Sequence, residues 1–596
     1  MPRLSTMLGR FCCAFAAPLP LAVPVIMPFS QGSSGLPRAG SGATFSGRRT
    51  MSTCEIFKAA PTRKSMPSAA RPALDQSEFA ASAGHDSCHW HGSATGVEST
   101  RIDLRQAKII FIGFGAVAKC VLNQMDAYLK YDSRYLHAVD QFQSAFAGPR
   151  SGNVCQHVLF VDETTFVPLL DSIGTMPGDV IIDLTYSSCT YHMIQVCLER
   201  GINYVNTSIE DVNDEMGGTS IDIQQRHVGR IVDAHRSAHH GKFRSNILTE
   251  CGQNPGMIQH YVLHMLHSLH EKRHGVQLQT NLSKEDYQRV ILDEKIGSIL
   301  MSEFDDQTTT ETFESSAVLI NTWSVTGFLA ESLDLTELVR GATNPFVKPF
   351  LSDDLLSASE MSAFAKCPSV VANPRADVNV LFLKESGINV RTATVAPVLT
   401  PHGIDYRQFD GKLIHHGEMF ELARLLGEHA PFMSYVYSSN AYMDESVRYL
   451  HQNRGFRDWP QIQAYANQPA NFRVLDQCSS GVKVTGQDSI GATLFCGTDS
   501  VERIYWCGSL FSDRDHDTAF TPTTLQVAAG LLSGLSYILE PSQQGVGWFQ
   551  PCDLNTAYMI RKASPLLGRF FMTEVPVSFF PVKDWKIFVK KVAPHW

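Results

Sequence analysis

The 596-residue chain is 44% hydrophobic and 18% charged, with a formal net charge of −9 and 14 cysteines. That length allows several domains of roughly 150 residues each, and the negative balance argues against nucleic acid as a partner and suits a cationic one. The cysteines lack paired spacing and read as reduced thiols of an intracellular protein, and no apolar run reaches the ~18 residues of a membrane span.

Residues 1–54 contain no Asp or Glu. They hold Arg3, Arg10, Arg38, Arg48 and Arg49 among many Ser, Ala, Gly and Pro. This is the composition of an organellar transit peptide; the alternative is an untranslated leader with Met51 as the start. Pro20, Pro24 and Pro28 spoil Leu19–Phe29 as the apolar core of a secretory signal. Residues 55–100 are polar and unpatterned, and are expected to be disordered. Within them Cys88-His89-Trp90-His91 offers ligand-type residues, but no second pair stands at a metal-site spacing. Residues 1–104 are therefore read as a dispensable extension, and the protein as cytoplasmic or organellar.

From residue 105 strands and helices alternate, as a parallel sheet requires. Ile109-Ile110-Phe111-Ile112 reads as a buried strand. It runs into Gly113-Phe114-Gly115-Ala116-Val117-Ala118, a Gly-x-Gly-x-x-Ala turn, and a helix is expected from Lys119 to Leu129. In a dinucleotide fold Gly113 makes the tight turn and Gly115 lets the backbone approach a pyrophosphate. Ala118 keeps the helix close to the sheet, and the helix N-terminus receives the phosphate charge. The next strand, Tyr135 to Val139, ends in Asp140, somewhat beyond the usual ~20-residue spacing. A carboxylate there binds ribose hydroxyls and repels a 2′-phosphate, so the cofactor expected is NAD.

Further strands are expected at 158–161, 180–184 (followed by Thr185, expected with Ala116 and Val117 to bind the cofactor) and 204–207, and helices at 190–199, ending at Gly201, and 225–240. Strand 204–207 leads to Glu210 at the carboxyl edge, where an open parallel sheet meets its ligands. Asn246–Thr249 leads to Glu250-Cys251-Gly252-Gln253-Asn254-Pro255-Gly256-Met257, a tight break before a helix from Ile258 to Leu269. After Val276 strand-like runs (287–292, 317–322, 378–383, 412–415) alternate with long loops, and Leu333–Arg375 reads as a loop-rich insertion. A last strand, 501–508, precedes a helix, 523–539, so apolar that it must be buried against the nucleotide domain. The fold expected is α/β. A Rossmann-type NAD-binding domain (105–257) carries an inserted mixed or antiparallel-sheet substrate and dimerisation domain (258–510), and C-terminal helices (511–596) pack back on the first. The inserted sheet suggests a homodimer.

Several blocks together resemble bacterial-type homospermidine synthase, within the wider saccharopine-dehydrogenase-like group. They are Gly113-Phe-Gly115, Cys251-Gly-Gln-Asn-Pro-Gly-Met257, Glu303-Phe-Asp-Asp-Gln307, Asn321-Thr-Trp-Ser-Val-Thr-Gly-Phe328, His416-Gly-Glu418 and Thr524-Leu-Gln-Val527. The resemblance runs from about residue 107 to the C-terminus. It implies a redox-neutral transfer, with NAD, of an aminobutyl group from putrescine or spermidine to putrescine through imine intermediates. The cofactor returns to its starting state.

The resemblance also implies roles. Glu210 and Glu303 would hold ammonium ends, and Glu331 would assist proton transfer or bind the amine. Trp323 would face an iminium as a cation–π partner. Asn254 and His416 would lie near the substrate amine, where an imidazole can shuttle protons. Each has a plainer reading: Trp323 as core, Glu303 as part of a solvated acidic run, Glu331 as a surface residue, His416 confused with His415, Asn254 as a turn former. The sequence also departs from the family pattern, with Ser187 where an acid is expected, Asp183 where a neutral amide is expected, and Thr326 where a glutamate is expected. Two other functions compete. A carboxynorspermidine- or saccharopine-type dehydrogenase needs basic residues for a substrate carboxylate, and Arg391 is the one arginine near a trusted motif. A non-catalytic nucleotide-binding relative is supported only by Ser187.

Overall fold

The computed structural model describes residues 101–591, apart from 149, 186–188, 210–219, 310–316, 334–335, 348–354, 358–377, 384–388, 457–458, 467, 476–482, 514–518, 543–545 and 580–588. The N-terminal extension with its Cys-His cluster, Ser187, Glu210 and much of the insertion lie outside the described residues.

Seven parallel strands form the first sheet. Their spatial order is Trp548–Phe549, Ile247–Leu248, Asn203–Asn206, Val180–Asp183, Ile109–Ile112, Leu136–Asp140 and Cys155–Val158. The central strands are buried on both faces, as parallel strands covered by helices must be. The helix after the fingerprint spans Ala116–Gln124 rather than Lys119–Leu129. It begins directly after Gly115, and Leu129 is drawn instead into a short strand, Leu129–Tyr131, paired with Ile102–Leu104. The edge strand is Cys155–Val158 rather than 158–161. Val158 and Phe160 misdirect a hydrophobic reading, because both are about half exposed (51% and 50%). The helix expected from Gln225 starts at Ile221, where the Ser220 hydroxyl accepts the Ile223 N–H.

The second sheet has eleven strands and is mixed. Its main path runs Leu355–Ser357, Val378–Leu383, Glu337–Gly341, Phe432–Ser438, Ile296–Asp305, Gln487–Cys496, Arg503–Ser512 and Arg569–Glu574. Gly403–Ile414 branches from Phe432–Ser438 and pairs with Asn389–Thr400, which pairs with Val589–Lys591. Among the described pairings within this sheet, only Phe432–Ser438 with Ile296–Asp305 is parallel. Two strands, Glu337–Gly341 and Leu355–Ser357, fall in the segment read as a loop-rich insertion.

The segment read as a strand at Tyr287–Leu292 is helical, Lys284–Asp293. Ser283 caps it, Glu285 and Asp286 occupy its first turn, and Tyr287, Val290 and Ile291 are buried at i, i+3 and i+4. The strand follows it, as Ile296–Asp305, buried along all its length.

Helices Met257–His274 and Pro522–Leu539 join the two sheets through one core, shared with Phe114, Val121 and Leu122 on one side and Met301, Tyr435 and Ala492 on the other. A Cβ on Gly530 would lie 1.8 Å from the Gly252 carbonyl oxygen, so the second helix presses on the turn that carries Asn254. Among the described residues no helix is long and apolar enough to cross a membrane.

Buried acids outside the site set a pH dependence. Burial pushes Glu250 up to about 7, and Glu337 and Glu421 each up to about 8, from an ordinary 4.5. A raised carboxyl contributes stability that is present below 4.5 and lost as pH rises through its folded value. The melting temperature is therefore expected to fall from about pH 4.5 to about pH 8, the interval between the ordinary and the raised values. Glu337 accepts the Ile221 N–H through Oε2 while its Oε1 has no partner, so Glu337→Gln keeps that acceptor and should flatten the decline. Thermal unfolding of both proteins across that range checks this.

Candidate active site

The strand-turn-helix at Ile109–Gln124 presents its glycines as a nucleotide site needs. Gly113 has φ +82°, and a Cβ there would meet the Leu184 carbonyl oxygen at 2.8 Å and Thr185 Cγ2 at 3.1 Å, so only glycine fits. Gly115 is exposed, and a Cβ there would have no atom within 4 Å. No side chain caps the helix it precedes, and no acid sits in the first turn. The first-turn amides of Ala116, Val117 and Ala118 are the groups such a helix start offers an anion. Ala118 is fully buried against the sheet. Asp140 closes the turn, Oδ2 accepting the Phe114 N–H at 2.9 Å and Oδ1 the Phe142 N–H at 2.9 Å. Thr185 donates its hydroxyl to Asp183 Oδ1 at 2.6 Å, and Tyr204 donates to Asp183 Oδ2 at 2.7 Å. Asp183 is thus occupied inside the sheet rather than aimed at a ligand. Gly115→Leu is expected to fold normally, because its Cβ enters open space, and to weaken dinucleotide binding more than tenfold; titration calorimetry against thermal unfolding checks both.

Asn254 stands in the turn beyond the carboxyl end of Ile247–Leu248 and reaches the second sheet. Its Nδ2 donates to Glu303 Oε2 at 2.7 Å and to the Tyr435 hydroxyl. Tyr435 also donates to Glu303 Oε2, at 3.3 Å. Glu303 is 3% exposed and its Oε1 has no partner, so the reading of 303–306 as a solvated acidic face is overturned at Glu303 and Asp305. Sheet register explains it: period-two alternation puts Met301, Glu303 and Asp305 on one face, and Tyr437 and Ile490 flank Glu303 on the neighbouring strands. Asp305 accepts from Gln307 and Thr322, while Asp488 opposite accepts the Thr523 hydroxyl and keeps Oδ1 unpartnered. Burial, reinforced by Asp305 and Glu331, pushes Glu303 well above the usual carboxylate range. Desolvation likewise raises Asp305 and Asp488, each reinforced by its acidic neighbours.

His416 immediately precedes the helix Gly417–Leu426 and stacks on Tyr435, with ring centroids 4.1 Å apart and 7° between planes. Its Nδ1 lies 3.1 Å from Glu418 Oε2, and its Nε2 lies 3.6 Å from Glu331 Oε2. Burial works against the imidazolium, but Glu418 and Glu331 together outweigh it and hold its pKa well above the ordinary histidine value. Trp323 is half-buried and donates Nε1–H to the Tyr437 hydroxyl at 3.2 Å. Asn254, Glu303, Trp323, Glu331 and His416 therefore gather around two tyrosines that the sequence reading did not single out. The signal for Tyr435 and Tyr437 was present as a Tyr-x-Tyr spacing that puts both rings on the Glu303 face of one strand. Glu418 is the third residue of the His416-Gly-Glu418 block.

Residues 109–232 match the family model of the saccharopine dehydrogenase NADP-binding domain. That segment carries five strands of the seven-stranded parallel sheet. Over 479 residues the chain is 23% identical to the homospermidine synthase of Blastochloris viridis, covering 77% of this chain and 89% of that one. The homospermidine synthase of Mesorhizobium japonicum is 22% identical over 488 residues, 77% and 88% of the two chains. Among solved structures, the homospermidine synthase of Legionella pneumophila in complex with NAD superposes with a TM-score of 0.61 at 19% identity, covering 80% of this chain and 92% of that one. The expected α/β architecture, a parallel nucleotide-binding sheet with a mixed-sheet domain, is the one found.

Proposed function

We propose that this protein is a homospermidine synthase that uses NAD catalytically to transfer an aminobutyl group between diamines. The observation that carries the reading is Glu303: a buried carboxyl with one oxygen free, beside Tyr435 and Tyr437, the second of which accepts the Trp323 Nε1–H. An unpaired buried acid is costly unless a cation joins it, and a diammonium substrate supplies one. The surrounding acids disfavour the competing dehydrogenase, whose substrate carboxylate would be repelled by Glu303, Asp305 and Glu331. Bound NAD supplies hydride acceptance and return at the amine-bearing carbon. Asp140 favours NAD over its 2′-phosphorylated form by repulsion, although the matched family model is named for NADP.

The chain's own residues then divide the work. Glu303 Oε1 receives the ammonium end, and Asn254 and Tyr435 fix the carboxylate through Oε2. The Trp323 face meets the positive charge of an iminium. His416 is placed to pass a proton from Nε2 toward Glu331 as amines exchange, while Glu418 holds Nδ1. Glu210, outside the described residues, would take the other ammonium end. Mass spectrometry of products from putrescine and NAD tests the reading. The expected result is homospermidine with no NADH accumulating in proportion. NADH formed one-for-one with product would establish a dehydrogenase, and no turnover a non-catalytic relative.

A further inference from the structure

At one edge of the parallel sheet, the last pair of strands brings together three metal-ligand side chains that the proposed reaction leaves unused. Parallel register sets His137 opposite Cys155 and Val139 opposite His157. Alternation along each strand then puts His137, Cys155 and His157 on one face. His137 Nδ1 faces His157 Nε2 at 3.1 Å, the rings are roughly stacked with centroids 5.4 Å apart, and one ligand atom from each of the three residues lies within 4.8 Å of the others. His137 is 9% exposed, His157 is half-buried and Cys155 is exposed. Cys155 is also the only exposed cysteine among the described residues.

We propose that His137, Cys155 and His157 bind one zinc ion. Two imidazole nitrogens bonded to one zinc at about 2.0–2.1 Å in a tetrahedron stand roughly 3.3 Å apart, close to the separation found. Without a metal, the two facing nitrogens can share only one proton between their lone pairs. The donor set of two imidazoles and a thiolate selects zinc or cobalt over magnesium or calcium, which prefer oxygen. On binding, the Cys155 thiol releases its proton to solvent as the sulfur–metal bond forms, and a water completes the fourth position. The metal would tie the edge strand Cys155–Val158 to Leu136–Asp140, the strand that ends in the acid closing the nucleotide turn. Metal binding should therefore raise the melting temperature of the full chain by mass action.

Cobalt(II) is the spectroscopic probe, titrated into metal-free full-length protein. One equivalent is expected to give a near-ultraviolet sulfur-to-cobalt charge-transfer band, which zinc displaces. Cys155→Ser, an exposed substitution that leaves folding intact, should abolish the band, and His157→Ala should weaken cobalt binding at least tenfold. The proposal is overturned if no band appears, or if the band persists in Cys155→Ser. Persistence there with loss in Cys88→Ser would assign the metal to the Cys88-His89-Trp90-His91 cluster instead.

Discussion

Glu303→Gln is expected to lower kcat/KM for putrescine by about 30-fold to several thousand-fold, because removing one partner of a buried, hydrogen-bonded charge pair costs about 2–5 kcal/mol. The substitution is nearly isosteric. Asn254 and Tyr435 can still donate to the remaining carbonyl oxygen, so geometry is retained while the charge is lost. Stability should move the other way. In the free enzyme Glu303 is desolvated, flanked by Asp305 and left with Oε1 unpartnered, so at pH above its raised pKa a neutral amide relieves the burden of the charge. A melting temperature equal to or above wild type, together with the loss of activity, is the expected signature. If Glu303→Gln instead melts lower and turns over normally, the carboxylate is structural and putrescine is not bound there. The same physics gives a pH effect: the raised carboxyl must lose its proton to meet an ammonium, so diamine affinity should climb as pH rises toward Glu303's elevated pKa.

Sequence periodicity carried the nucleotide half well, because its signals are local. Ile109–Ile112, Val180–Asp183 and the glycine turn each read correctly from a few neighbouring residues. It failed where tertiary partners decide. Leu129 left its expected helix for a strand partner more than twenty residues away, and the expected strand 158–161 stops at Val158, with Val158 and Phe160 half exposed. In the second half, Lys284–Asp293 was misread because its buried stripe of Tyr, Val and Ile is rich in strand-forming residues, while the Ser283 cap that decides the matter is a single side chain. Asn254, Trp323 and His416 were legible only through family resemblance. Their meeting at Glu303 depends on four chain segments, 254, 303–323, 416–418 and 435–437, and no spacing rule encodes that. Glu303 shows the limit most clearly: Glu-Phe-Asp-Asp looks like a charged surface, and only the register with Tyr437 and Ile490 reveals it as interior.

Trp323→Ala is expected to lower turnover by about 30-fold or more, and Trp323→Phe by much less. A cation over a desolvated aromatic face gains about 2 kcal/mol or more, and phenylalanine keeps a weaker version of that face. The surroundings sharpen the comparison. Trp323 Nε1 donates to the Tyr437 hydroxyl, and its ring crowds Gly327, where a Cβ would approach Cζ3 to 2.8 Å. Phenylalanine loses that hydrogen bond but retains a ring against Gly327, so both variants forfeit the Tyr437 contact and the difference between them isolates the face. Stability separates this from a packing role. Truncating a core tryptophan typically costs ~3–5 kcal/mol, whereas Trp323 is only half-buried, so the alanine variant should melt close to wild type. Turnover and thermal unfolding measured together for both variants decide the assignment. An alanine variant that melts far below wild type, with activity reduced only in proportion to its folded fraction, would place Trp323 in the core and leave the iminium without its aromatic partner.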